Sequence, residues 1–162
     1  MNMNGMLSRR RGLQYVGSAL ALATAPGAFA QSAAKAAPRV ISLSGALTEI
    51  VYLLGAQDLL VATDTTSLFP EAATKTLKVG YMRQLAAEGV LSLKPDVVIG
   101  TQEAGPLVAL DQIRGAGVRV ALVPTPHNWA EVQAKVQLVG RETGYAPQAQ
   151  ALLNRLDAQW AD

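Results

Sequence analysis

The chemistry of this sequence centres on the stretch VGYMRQLAAEG, residues 79–89. Tyr81 directly follows a glycine, and Arg83 stands two positions further on. A tyrosine has an ordinary pKa of about 10, and a neighbouring positive charge favours its ionised form. That form, a phenolate, is a hard anionic metal ligand. The residues alone leave two interpretations open: a metal-ligating tyrosine, or a half-buried tyrosine that covers the start of a helix.

Other reactive groups give little support for an enzyme. The chain has one histidine, His127, which excludes a cage of several histidines. No G-x-S-x-G or Walker sequence occurs, and Gly115-Ala116-Gly117 precedes a predicted strand rather than the helix that dinucleotide binding requires. The acidic residues are scattered, without a close pair for acid–base work. We therefore expect a binding protein without catalysis, with a small exported α/β enzyme as the alternative.

The charge distribution gives no case for a nucleic-acid partner. The 162 residues include 14 basic and 12 acidic side chains, for a formal net charge of +2. Residues 1–30 hold three of the basic residues and none of the acidic ones, so 11 basic and 12 acidic residues remain, a charge of −1. A nearly neutral domain lacks the basic surface that binds phosphate backbones.

Residues 1–30 predict a cleavable export signal peptide and hence a periplasmic location. Arg9 to Arg11 form a charged region, an apolar run extends from Leu13 to about Ala25, and a small-x-small cleavage pattern follows. An amphipathic helix is the alternative. The start SRRRGL loosely fits a twin-arginine signal, so the Sec and twin-arginine routes both stay open. Residues 31–37 predict a flexible leader. With no cysteine in an exported chain, packing must supply the stability.

From residue 38 onward, short apolar runs alternate with helical periodicity. The predicted strands cover residues 39–43, 59–62, 97–99 and 118–123, with a short extended piece at 77–80. The predicted helices cover 47–54, 85–93 and 107–114, and two more begin near 128 and 147. This alternation predicts an α/β fold, a three-layer lobe with a mainly parallel sheet. We place the lobe at residues 38–144 and a further helix at 145–162.

The predicted site lies beyond the carboxyl ends of the strands, where parallel sheets bind ligands. Gly45, Thr66 and Ser67 could donate hydrogen bonds to ligand carboxylates, with ordinary turn and cap chemistry as the alternative. His127 is a possible second ligand-binding residue, and a plain surface histidine is the alternative. The strand ends in full are Ser44-Gly45, Asp64 to Ser67, Tyr81, Thr101 to Glu103 and Pro124 to His127.

The sequence beyond the signal resembles the haemin-binding periplasmic component of bacterial haem ABC importers. That branch belongs to a broader cluster of vitamin B12, siderophore and haem binding proteins. The stretch VGYMRQLAAEG is typical of the haem branch, whereas LKPDVVI is shared by the whole cluster. The matching pieces are PRVISLSGALTEIVYLLGA, DTTSLFPEAA, VGYMRQLAAEGVLSLKPDVVIG and EAGPLVALDQIRGAGVRV.

The resemblance implies two α/β lobes joined by a long rigid helix, with the ligand held between them. This chain would then supply the N-terminal lobe and, at residues 145–162, the start of the joining helix, with the second lobe absent. Tyr81 would ligate the haem iron, and Arg83 would lie against the phenolate or a haem propionate. Glu88 resembles the acid that docks onto a basic pocket of the permease; a favourable charge in the first turn of a helix is the alternative.

We therefore expect a periplasmic protein that carries haem, as transported ligand, to an inner-membrane ABC permease. An outer-membrane haem receptor system would be an indirect partner. The nearest alternative is a cobalamin or ferric-siderophore binding protein of the same fold. A non-functional truncated fragment is a further alternative.

Overall fold

The computed structural model describes residues 36–161, so the expected signal peptide and most of the leader lie outside the described residues. Four strands in that range form one all-parallel sheet in the order β2-β1-β3-β4. The connections that leave β1 and β3 run in opposite directions, which places the switch point between these two strands. The strands are β1 Val40–Leu43, β2 Leu60–Thr63, β3 Val97–Thr101 and β4 Arg119–Val123.

Helices cover both faces of the sheet and produce three layers. One apolar cluster joins the sheet to α1, α5 and α6, and a second joins it to α3 and α4. The prediction of an α/β lobe with a mainly parallel sheet is confirmed. The helices are α1 Gly45–Leu53, α2 Glu71–Thr74, α3 Ala87–Ser92, α4 Leu107–Gly115, α5 Trp129–Thr143 and α6 Ala146–Ala161, with a short 3-10 helix at Gln57–Leu59.

The two central strands explain why the sheet is stable. All residues of β1 and β3 are buried, as expected of strands covered on both faces. Their side chains alternate: Val40 and Ile99 enter the cluster below α1 and α5, whereas Ile41 and Val98 enter the cluster below α3 and α4. Each such fully buried aliphatic side chain contributes about 1.5–3 kcal/mol.

Two predicted boundaries differ from the structure. The helix expected over residues 85–93 covers only Ala87–Ser92, because the residues before it form a turn in which the N–H of Gln84 donates to the carbonyl of Tyr81 at 2.9 Å. The four-residue helix α2 was not predicted, since it is too short to show a helical period.

Helix α6 packs directly on α5. A Cβ atom at Gly140 would collide with Ala149, so the glycine permits the close approach of the two helices. The continuation of α6 towards a second lobe stays a prediction. Within residues 36–161, none of the helices is long and apolar enough to cross a membrane.

Candidate ligand-binding edge of the sheet

The backbone before Tyr81 lies alongside the end of β2. Residues 77–80 pair with this strand, as the N–H of Val79 donating to the carbonyl of Thr63 at 3.0 Å shows. Gly80 then takes a φ of +94°, which other residues rarely adopt. This glycine turns the chain away from the sheet, so Tyr81 emerges just beyond the carboxyl end of β2.

The segment after Tyr81 crosses the carboxyl edge of the sheet. The N–H of Gly105 donates to the carbonyl of Met82 at 2.9 Å, and the N–H of Leu85 donates to the carbonyl of Gly105 at 2.9 Å. Both Met82 and Leu85 are buried, whereas Tyr81 is 40% exposed. The segment is therefore anchored to the loop that follows β3, while its tyrosine faces outward.

Arg83 pairs with Glu103, one of the strand-end residues predicted to lie at the site, although the pairing itself was not predicted. Its Nη2 lies 2.9 Å from Oε1 of Glu103, and the two side chains are 53% and 40% exposed. The hydrogen bond and charge of Glu103 raise the pKa of Arg83, and the nearby phenolic group of Tyr81 adds to the effect. The structure thus brings Tyr81, Arg83 and Glu103 together. No spacing in the sequence indicates that residues 83 and 103 meet.

Three other predicted site residues belong to a loop whose polar groups bond to one another. The buried carboxylate of Asp64 accepts from Ser67 Oγ at 2.9 Å and from Thr66 Oγ1 at 2.7 Å. Ser67 Oγ also lies 2.8 Å from Thr48 Oγ1, and the N–H of Gly45 donates to Thr66 Oγ1 at 3.3 Å. These bonds hold the loop in shape, and ligand hydrogen bonds from Gly45, Thr66 and Ser67 stay predictions.

Two further predicted residues have no hydrogen bond or ion pair with Tyr81 or Arg83 in the described part of the chain. His127 follows β4 and is exposed; its backbone N–H donates to Glu131 Oε2 at 2.7 Å. Glu88 is exposed in the first turn of α3. A ligand role for His127 and a docking role for Glu88 stay predictions.

An apolar surface accompanies the polar groups. Two large apolar side chains in the loop between β2 and α2 and two at the start of α4 are between 63% and 68% exposed, although their size and apolarity favour burial. Exposed apolar groups at the carboxyl edge of a sheet are candidates for contact with a ligand or partner. The sequence analysis did not identify these four residues, because the amino-acid sequence does not show which apolar residues stay exposed in the fold. We call this set the apolar surface: Leu68, Phe69, Leu107 and Val108.

Groups that could hold a bare metal ion are not found here. Among residues 36–161, no three His, Asp or Glu side chains lie close enough together to hold one.

The layered lobe has an all-parallel sheet, and ligands of such sheets bind at the carboxyl edge. The family model of periplasmic binding proteins matches residues 40–162, and the chain belongs to this family.

Among three similar proteins, one is named for haem, one for vitamin B12 and one for no ligand. The structure of the periplasmic heme-binding protein BhuT in complex with two hemes is 41% identical, with a TM-score of 0.73, over 76% of this chain and 48% of that one. An uncharacterized ABC transporter substrate-binding lipoprotein of Bacillus subtilis is 30% identical over 76% of this chain and 40% of its own length. The vitamin B12-binding protein of Yersinia pestis is 39% identical over 54% of this chain and 31% of its own length.

The chain thus spans less than half the length of each of these relatives. The resemblance to periplasmic haem-binding proteins that the sequence predicts is confirmed.

Proposed function

We propose that this lobe binds ferric haem through the phenolate of Tyr81 and belongs to the substrate-binding component of a haem importer. The observation that carries the proposal is an exposed tyrosine at the ligand edge with Arg83 beside it. A single oxygen donor suits haem, because the macrocycle already supplies the four equatorial ligands of the iron.

The apolar surface supports the same ligand. Haem is a flat macrocycle with large apolar faces, and its transfer out of water gains about 25 cal/mol per Å² of apolar area. Leu68 and Phe69 follow β2, Leu107 and Val108 follow β3, and Tyr81 emerges at the same edge. A macrocycle ligated by Tyr81 would cover part of this surface.

Titration of the chain with ferric haem tests this proposal. Tyr81→Phe should remove the phenolate-type absorption and weaken binding on the order of tenfold or more, since the lost iron–oxygen bond is worth at least about 1.4 kcal/mol. Tyr52→Phe, in α1, is the matched control and should leave both unchanged. An unaltered spectrum in Tyr81→Phe would remove the basis for haem ligation at this edge.

Cobalamin is the second candidate ligand, supported by the identity to a protein named as a vitamin B12-binding protein. An axial tyrosine is not required for cobalamin. Competition between ferric haem and cyanocobalamin therefore separates the two candidates. Tighter binding of cobalamin, unaffected by Tyr81→Phe, would favour the cobalamin assignment.

The wider role follows from the haem proposal. The protein would be exported by the signal peptide within residues 1–30 and would deliver haem to an inner-membrane permease. Glu88 supports docking, because an exposed carboxylate with no ion pair among the described residues can orient a lobe on a basic surface. Haem transfer in a reconstituted importer with Glu88→Arg tests this role, and normal transfer would contradict it.

A further inference from the structure

The Arg83–Glu103 ion pair has a consequence for how a ligand is oriented. The two side chains come from different loops, one after residues 77–80 and one after β3. Backbone hydrogen bonds between Met82, Leu85 and Gly105 fix the separation of those loops. The backbone therefore keeps the two residues within reach of each other, and their side chains meet with an Nη2–Oε1 distance of 2.9 Å.

The pair decides between the two partners that Arg83 could have in a haem complex. A propionate that approached this guanidinium would also meet the carboxylate of Glu103, and two like charges at such short range repel each other. Tyr81, two residues before Arg83 in the same turn, adds to the raised pKa of Arg83, so its phenolic group is close enough to interact with the guanidinium in the folded chain. Arg83 is therefore expected to interact with the oxygen of Tyr81 and not with a propionate.

We propose that Glu103 is a positioning and specificity residue: it holds Arg83 beside Tyr81 and repels ligand carboxylates from that side. Haem then binds with its propionates directed away from the Arg83–Glu103 pair. The inference rests on the proposed function. It adds a residue that determines orientation, and it selects against ligands with a carboxylate next to the iron-binding position.

Comparison of two ligands isolates this effect. Ferric haem and its dimethyl ester share the macrocycle and the iron, but only haem carries ionised propionates. Each is titrated into the full chain in the same detergent micelle, and the ratio of haem affinity to ester affinity is the measured quantity. Changes in folding, or in the strength of the phenolate, act on both ligands and cancel in the ratio.

Glu103→Gln keeps the size and a hydrogen-bond acceptor but removes the negative charge. We expect the ratio to rise roughly two- to fivefold, the range of an exposed ion pair, because a propionate can then reach Arg83. The phenolate-type spectrum should persist. The double variant with Arg83→Gln should lose the gain. Asp111→Asn, which breaks the exposed Asp111–Arg114 pair of the same 2.9 Å length, should leave the ratio unchanged.

Three outcomes overturn the inference. An unchanged ratio would show that Glu103 does not act on propionates, and a lower ratio would place a propionate at the pair in the unsubstituted chain. A rise that persists in the double variant would remove Arg83 from the explanation. If the unsubstituted chain does not bind haem with a phenolate-type spectrum, the proposed function itself is wrong. The spectrum is recorded first, so this failure is distinguished from a failure of the Glu103 inference before any ratio is compared.

Discussion

Two loops at the carboxyl edge of the sheet differ in where their polar side chains find partners. In the loop at residues 64–67, the Asp64 carboxylate is buried and accepts from two hydroxyls of its own loop. In the turn at residues 81–83, the phenol and the guanidinium are exposed; backbone hydrogen bonds hold the turn, and one exposed ion pair joins Arg83 to Glu103. The polar groups of the first loop bond to one another, whereas those of the second are exposed to solvent.

The difference shows how to separate supporting from binding residues in this lobe. Groups with partners inside the fold are expected to affect stability when they are changed. Exposed groups held by their backbone are expected to affect ligand binding with little effect on stability. The lysine at residue 78 belongs to the first kind: its Nζ donates to Thr63 Oγ1 at 2.7 Å and to the carbonyls of Ser67 and Ala73 at 3.0 Å. Burial lowers the pKa of Lys78, and the Asp64 carboxylate opposes that shift.

The largest expected effect on stability is at Asp64. Asp64→Ala leaves the hydroxyls of Thr66 and Ser67 without their acceptor and should lower the free energy of unfolding by about 2–4 kcal/mol. Urea denaturation measures the loss. Asp111→Ala, at an exposed position, is the control and should cost less than about 0.5 kcal/mol. Equal losses in the two variants would contradict the supporting role of the 64–67 loop.

A smaller effect is expected at Glu131, at the start of α5. Its carboxylate accepts from the backbone N–H of His127, and Asn128 accepts from its N–H, as in a helix cap. Glu131→Gln should lower the free energy of unfolding by about 1 kcal/mol near neutral pH.

The effect at Glu131 should depend on pH with a defined sign. The hydrogen bond from Lys135 is the main cause that lowers the pKa of Glu131, and the His127 backbone adds to it against the opposing effect of burial. Because the pKa of Glu131 is lower in the folded chain, the ionised carboxylate stabilises the fold at pH values above the ordinary glutamate pKa of about 4.3. This stabilisation is lost as the pH falls through the lower pKa of the folded state. Denaturation at several pH values should show the two proteins converging in acid; a constant difference would exclude the charged carboxylate as the cause.

The smallest effect is expected at Glu88. Glu88→Gln should change stability by only about 0.3–1 kcal/mol through the end of α3, and should leave haem affinity unchanged. Thermal denaturation and a haem titration check the two parts. A clear loss of haem affinity would place Glu88 at the ligand edge and not on a docking surface.

The fold was predictable from the sequence to a large extent, and the site only in part. Continuous apolar runs such as residues 97–99 and the glycine at 55 mark buried strands and helix ends, because burial and positive φ restrict the residue types. Tyr81 was selected from its neighbours in the sequence and from the family resemblance, and its role as a ligand stays a prediction. Glu103 was not paired with Arg83, because contacts over 20 residues depend on how two loops cross the sheet.

The apolar surface was missed for a related reason. Leu107 and Val108 look like core residues of an amphipathic helix, and only the position of α4 shows that they face outward. The hydroxyls of Thr66 and Ser67 were expected to be available to a ligand. The sequence does not show that they already donate to the carboxylate of Asp64.

Iron ligation by Tyr81 is tested most directly by resonance Raman spectroscopy of the chain loaded with ferric haem. The chain is produced with ordinary and with ring-deuterated tyrosine. We predict phenolate vibrations that shift with the label, vanish in Tyr81→Phe and persist in Tyr52→Phe. Bands that do not respond to the label, or that persist in Tyr81→Phe, would contradict ligation by this tyrosine.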